Sequence, residues 1–334
     1  RSMKSFFKWT GIVIATLLVV SIFRGTYLDI SREKLETKYA MANSNFVLLD
    51  DGSRIHYREE GNKKGLAIVL LHGFNGSLFN FELLVPKLAK DFRLISLDLP
   101  AFGLTGAIPS AEYNTKNFIK TVFDLTKRKE IKDFIVVGNS MGGNVAWRYA
   151  LKYPNQVRGL VLIASGGIIE DENKSGINST QGETRDNSPI AWKLMSSDLT
   201  KFILRYVTPK FFAAQGLKIA LKDEKLVTDA LINQFHELVL LKGSRQAILS
   251  MNRDEETRFA KAEVLRNIIA PTLIIHGEED NLISVDSSKY YQENIPKVEV
   301  KIYSNIGHMP MYEDPERTAK DITEFIKTLT GTDL

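Results

Sequence analysis

The sequence predicts an α/β fold: a mostly parallel central sheet, helices on both faces, and a helical cap inserted after one strand. Three observations carry this. Apolar runs at residues 66–71, 92–97, 134–137 and 157–164 have the composition of strands covered on both faces. Segments with helical spacing, such as 114–128 and 144–153, separate them. The alternation breaks after Ser165, gives way to short helical patterns until about Met251, and then resumes.

Composition limits the function classes. The chain has 334 residues, 44% hydrophobic and 25% charged, enough for one large domain or two small ones with a sizeable core. The formal charge is only +4 and no basic block carries interleaved aromatics, so no nucleic-acid partner is expected. The absence of cysteine excludes disulfides, thiolate metal sites, a cysteine nucleophile and a lipidated cysteine.

The N-terminus reads as separate from the fold. Arg1 and Ser2 precede Met3 and look like an expression remnant. An uncharged run from Trp9 to Phe23 lies between Lys8 and Arg24. It is shorter than the roughly 20 residues that span a bilayer core, but Phe6 and Phe7 extend it and the flanking cations can snorkel. The competing reading, a cleaved signal peptide, lacks small residues after the run. The expectation is a single N-terminal membrane anchor over 1–24, with the remainder periplasmic or extracytoplasmic. Residues 25–45 follow as a charged, helical juxtamembrane spacer. The core is expected over 46–168 and 252–334, with the cap or lid over 169–251.

The elements follow in order. Phe46–Leu49 and Arg54–Arg58 flank Asp50-Asp51-Gly52-Ser53, a hairpin with a D-G turn. The run 66–71 ends in His72-Gly73-Phe74-Asn75-Gly76-Ser77, and helical spacing continues from Leu78 to Lys90. The run 92–97 ends in Asp98-Leu99-Pro100-Ala101-Phe102-Gly103. Beyond the cap come a helix near 257–267, a strand at 272–276, a helix at 285–294, a strand at 298–303 and a last helix at 315–329.

Gly138-Asn139-Ser140-Met141-Gly142 matches G-x-S-x-G between a strand and a helix. A nucleophilic serine must stand clear of its own backbone, so the positions two before and two after it must be tiny. The helix that follows aims its N–H groups and dipole at the reacting oxygen. Loops at the C-terminal strand ends of an α/β sheet meet in space. His276-Gly277-Glu278-Glu279-Asp280 and Ser304-Asn305-Ile306-Gly307-His308 end the last two strands, so an acid and a histidine share the edge with Ser140. His56 and His276 fall in strands and His236 in a cap helix, while the His72-Gly73 turn uses backbone rather than imidazole. His308 is therefore the expected base. Asp280 is the expected acid, with Glu279, Glu278, Glu170 and Asp171 as alternatives. The N–H groups of Met141 and Phe74 are the expected oxyanion donors.

From Phe46 to Leu329 the chain resembles the α/β-hydrolase superfamily, on the His72-Gly73-Phe74 loop, the Asp98–Gly103 turn, the Gly138–Gly143 elbow and Gly307-His308. Within it these motifs look like bacterial family V lipases and esterases and membrane-anchored monoacylglycerol lipases. The resemblance implies an α/β-hydrolase fold, the triad Ser140, Asp280 and His308, the oxyanion donors Phe74 and Met141, and a cap over an acyl pocket. The elbow also resembles carbon–carbon hydrolases of aromatic ring-fission products, which typically carry Trp after the histidine where this chain has Met309. Haloalkane dehalogenases and epoxide hydrolases use an aspartate where Ser140 stands.

The expected function is a serine ester hydrolase needing no metal or cofactor. The apolar cap residues Trp192, Leu194, Met195, Leu199, Phe202, Ile203, Leu204, Phe211 and Phe212, with the expected anchor, favour lipid-like or medium-chain esters as substrates, monoacylglycerols among them. Gluing the cap to the core is the competing role for these residues. A carbon–carbon hydrolase is the alternative activity. A binding module that kept the fold is a third reading, but it would normally have lost part of the triad.

Overall fold

The expected hairpin forms. In the computed structural model, which describes residues 7, 9, 26–169, 203, 205–251 and 260–331, β1 (Ser44–Leu48) pairs antiparallel with β2 (Arg54–Gly61). Gly52 takes the positive φ of 81° that the turn requires.

β2 also runs antiparallel to β4 (Arg93–Leu97). All other pairings in this sheet are parallel, through β3 (Ala67–Leu71), β5 (Phe134–Asn139), β6 (Val157–Ile163), β9 (Thr272–Gly277) and β10 (Val298–Tyr303). The eight strands lie in the order β1-β2-β4-β3-β5-β6-β9-β10. Strand periodicity explains the two apolar layers. Ile68 and Leu70 enter one buried cluster, and Val69 and Leu71 the other. Ile135 and Val137 likewise oppose Val136. The predicted α/β architecture with a mostly parallel sheet is what forms.

Two predicted helices differ in detail. Residues 78–90 form a 3-10 turn, Leu78–Phe81, and a short helix, Val85–Leu88. Pro86 lies in the first turn of that helix, where its missing N–H costs nothing, and it cannot sit in the interior of one longer helix. The segment near 257–267 contributes a 3-10 stretch, Ala262–Asn267, with 252–259 outside the described residues.

The described part of the insertion is helical: Lys210–Ala220, Asp229–Val239 and Ser244–Leu249. β7 (Ile168–Ile169) and β8 (Ala260–Lys261) pair in parallel where the chain leaves and re-enters the main body.

The membrane anchor and the location built on it are not upheld. No helix among the described residues is long and apolar enough to cross a membrane. The run itself was short against a bilayer core. Apart from Trp9, Trp9–Phe23 lies outside the described residues. The segment after it packs against the body. Its helix, Arg32–Tyr39, buries Leu35 to 1% exposure. The Arg32 guanidinium donates to the carbonyls of Leu104 and Thr105, and Arg54 pairs with Glu36 at 2.6 Å. Tyr39 and Lys38 bond Glu237 in the insertion, and Asp29 pairs with Arg245 at 2.6 Å. Backbone bridges join Thr26 to Val207 and Ile30 to Leu241.

Candidate active site

The elbow is shaped by close backbone approaches. β5 delivers Ser140 at φ 55°, ψ −116°, and the helix Met141–Lys152 starts at the next residue. Few side-chain-bearing residues adopt a positive φ, and here it turns the chain sharply from strand into helix. A Cβ on Gly138 would overlap the Gly142 carbonyl, and one on Gly142 would overlap that of Leu71. This is the physical content of glycine two before and two after the serine. Ser140 N–H donates to the Ile163 carbonyl at 3.0 Å, which fixes the elbow to β6.

The histidine and acid loops meet as the sheet order implies, since β9 and β10 are neighbours. His308 Nδ1 lies 2.7 Å from Asp280 Oδ2. With an ionised carboxylate, Nδ1 must carry the proton, which leaves the Nε2 lone pair free to accept one. Asp280 Oδ1 accepts from the backbone N–H groups of Leu282 at 2.8 Å and Ile283 at 3.0 Å. Burial would raise the Asp280 pKa, but hydrogen bonds from His276 and His308, with their charges, hold it well below the usual carboxylate range. Of the alternative acids, Glu278 is exposed and Glu279 pairs outward with Lys222. Glu170 and Asp171 lie outside the described residues.

The elbow and the histidine loop are linked directly. Asn139 Nδ2 donates to the His308 carbonyl at 3.1 Å and to that of Ile163 at 3.2 Å. Among the described residues no hydrogen bond joins the Ser140 hydroxyl to the His308 ring. Such bonds are often long in ligand-free sites and tighten around substrate.

The loop after β3 touches the elbow from the other side. A Cβ on Gly73 would stand 3.1 Å from both Ser140 Cβ and Asn139 Oδ1. Phe74 follows at the exposed rim, its ring edge-on to Phe102 at 5.6 Å. Met141 opens its helix, so its N–H has no intrahelical acceptor. Neither Phe74 N–H nor Met141 N–H donates to a protein group among the described residues.

The other histidines have structural partners. His56 Nδ1 bonds Asp98 Oδ2 at 2.7 Å, both side chains fully buried. Asp98 also accepts from the N–H groups of Leu78 and Leu104 at 2.7 Å. A Cβ on Gly103 would overlap this carboxylate, which accounts for the glycine closing the Asp98–Gly103 turn. His236 Nε2 donates to the Thr208 carbonyl at 2.7 Å. His72 corrects the expectation that only its backbone matters: its Nδ1 bonds the Gly73 carbonyl at 2.7 Å and its Nε2 accepts from Leu99 N–H at 3.0 Å. Burial lowers its pKa, so the ring is a neutral brace between two loops.

Sequence reasoning missed His276. Its Nε2 lies 3.1 Å from both Asp280 Oδ2 and the Ile283 carbonyl. A carbonyl only accepts, so Nε2 carries the proton and the ring donates to Asp280. The available signal was His276 and Asp280 within one His-Gly-Glu-Glu-Asp run. Among the described residues no cluster of histidines and acids could hold a metal ion. Of the nine apolar cap residues, Ile203, Phe211 and Phe212 are described, and all are exposed rather than glued to the core. The other six lie outside the described residues.

Several known proteins are similar to this chain in sequence. Lipase 1 of Psychrobacter immobilis is 29% identical over 283 residues, 84% of this chain and 82% of its own length. Monoacylglycerol lipase abhd6-B of Xenopus laevis is 27% identical over 82% of this chain and 78% of its own length. The 2-hydroxy-6-oxo-6-(2'-aminophenyl)hexa-2,4-dienoic acid hydrolase of Metapseudomonas resinovorans is 27% identical over 82% of this chain and 88% of its own. A family model described as the alpha/beta hydrolase fold matches residues 67–221 and 228–315, and with the sheet order and the elbow already described, the chain belongs to the α/β hydrolase fold family.

Proposed function

We propose that this chain is a serine carboxylic ester hydrolase acting on lipid-like or medium-chain esters, monoacylglycerols among them. The observation that carries the reading is the 2.7 Å contact between His308 Nδ1 and Asp280 Oδ2, in loops beside the Ser140 elbow. Ser140 Oγ attacks the ester carbonyl while its proton passes to His308 Nε2. Asp280 holds the ring in the required tautomer and stabilises the imidazolium. The N–H groups of Phe74 and Met141 donate hydrogen bonds to the developing oxyanion. The intermediate collapses as His308 returns the proton to the leaving alcohol, and water then releases the acid from the acyl-serine by the same steps. The chemistry is complete without a metal or cofactor.

Residues 46–168 and 252–334 are the catalytic core in this reading, with 169–251 as a cap over the acyl site. The lipase and monoacylglycerol lipase relatives support lipid-like substrates. A second reading, hydrolysis of a carbon–carbon bond in a ring-fission product, is favoured by the Metapseudomonas relative. Against it stands Met309, where that group typically has Trp.

The test is turnover of p-nitrophenyl esters over a series of acyl lengths and of a monoacylglycerol, beside one ring-fission diketone. Ester turnover that rises with acyl length is the expected result. Cleavage of the diketone alone would replace the first reading with the second. No turnover of any would leave a binding module.

A further inference from the structure

We infer that Glu313 is a positioning residue for His308: its carboxylate locks the backbone of the histidine loop to the corner of the insertion at residues 220–223. The inference rests on the reading of His308 as the catalytic base.

Glu313 ends the short helix Pro310–Glu313 that follows His308. Its two carboxylate oxygens take different partners. Oε1 accepts from the Gly307 N–H at 2.9 Å. Oε2 accepts from the N–H groups of Lys222 at 2.7 Å and Asp223 at 3.3 Å, just past the helix Lys210–Ala220. The His308 N–H in turn donates to the Ala220 carbonyl at 2.7 Å. Two consecutive N–H groups, at Gly307 and His308, are thus held by Glu313 and by the insertion. A Cβ on Gly307 would stand 2.6 Å from the Ala220 oxygen and 3.1 Å from Glu313 Oε1, so the joint has no room for a side chain there.

The carboxylate is the group this joint needs. It offers acceptors on both sides at once, and bonds from N–H to a charged acceptor are stronger than neutral ones. A glutamine in its place keeps the length but turns an NH₂ donor towards an N–H on one side. The ring of His308 is steered by Asp280 and its carbonyl by Asn139. Glu313 and Ala220 set where the backbone between those contacts sits. A base displaced by about 1 Å can cost about 10²-fold in rate.

The test uses the full chain and the variants Glu313→Gln, Glu313→Ala, Glu316→Gln and His308→Ala. The readouts are kcat and KM on p-nitrophenyl butyrate, the rate of inactivation by a fluorophosphonate per folded molecule, and Tm. Glu313→Gln is expected to lower kcat and the inactivation rate together by roughly tenfold, with KM unchanged within about twofold. Glu313→Ala should lower both by roughly a hundredfold. Glu316, a neighbouring carboxylate in an exposed pair with Lys87, should be silent as glutamine. A merely structural role would lower Tm but leave kcat and serine reactivity per folded molecule intact. Folded Glu313→Gln with both rates within about twofold of wild type, beside an inactive His308→Ala, would overturn this inference alone. Wild-type turnover by His308→Ala would overturn the reading of His308 and the inference with it.

Discussion

Asn139 holds His308: its side-chain amide donates 3.1 Å to the His308 backbone carbonyl. The residue before the elbow serine therefore carries one of the ties that bring the histidine loop to it. The same amide donates to the Ile163 carbonyl. Asn139→Ala should leave the His308 carbonyl without this donor and the Ile163 carbonyl with the Ser140 N–H alone, costing about 1–3 kcal/mol of stability. Asn139→Asp should be worse, because it presents an acceptor to two acceptors. Urea unfolding and kcat on a short ester measure both. An Asp variant more stable than the Ala variant would refute this role for the amide.

Ser140 separates stability from activity. At φ 55° it occupies a region where a side chain costs about 1–3 kcal/mol. Ser140→Ala keeps that cost and should abolish ester turnover with little change in Tm. Ser140→Gly should also be inactive but more stable than the Ala variant. Equal Tm values would mean that the elbow stores no strain. A kcat for Ser140→Ala within about tenfold of wild type would remove Ser140 from the nucleophile role.

Asp280 and Glu279 are adjacent carboxylates with opposite surroundings. Asp280 is buried between His276 and His308, and Glu279 pairs with Lys222 at the surface. Asp280→Asn should cost orders of magnitude in kcat, as the equivalent change costs roughly 10⁴ in a serine protease triad. Glu279→Gln should cost less than about tenfold. Equal losses would displace Asp280 as the acid.

The sheet and the elbow were legible in the sequence because both are written in local patterns. Apolar runs marked the buried strands, and two glycines around Ser140 marked the turn. Asp280 and His308 could be paired because strand ends share an edge. What was not legible depends on contacts without local signature. His276 stands four residues before Asp280, but that spacing does not say that the chain turns back and puts the carboxylate against the ring. Lys38 and Glu237 lie 199 residues apart, so nothing near either announces their bond. The run at Trp9–Phe23 misled in the opposite sense, since hydropathy alone cannot say where an apolar segment goes.

The pKa of Asp280 predicts how acid acts on the fold. It is held below its unfolded-chain value of about 3.9, so on acidification the unfolded state takes up the proton first. The stabilisation from this ionised carboxylate is fully present above that value and is lost as pH falls towards the lower folded pKa. Asp280→Asn has no such contribution to lose. The stability gap between wild type and this variant should be constant from pH 7 to about 5 and shrink below about 4. Urea unfolding at a series of pH values gives the gap directly. A gap that widens on acidification would mean that the carboxylate is stabilised as the acid.

The segment 26–42 should behave as part of the fold. Leu35 is 1% exposed in a cluster with Leu78, Phe79, Leu104, Leu238 and Leu241, which come from both the main body and the insertion. Around it, Arg32 bonds the Leu104 and Thr105 carbonyls, Tyr39 and Lys38 bond Glu237, and Asp29 pairs with Arg245. Removing residues 1–42 would strip all of these at once and open an apolar groove between the two parts. Removing only 1–25 would leave every one of them in place. The shorter deletion should therefore keep the stability of the remaining fold, and the longer one should lower Tm by more than about 10 °C or cause aggregation. Leu35→Ala isolates the packing contribution and should cost about 2–5 kcal/mol, as for other large-to-small changes in cores. Lys38→Ala removes one exposed pairing and should cost less than about 1 kcal/mol. Thermal unfolding of the four variants decides the matter. A chain lacking 1–42 that melts at the same temperature as one lacking 1–25 would show that this packing contributes nothing to the fold.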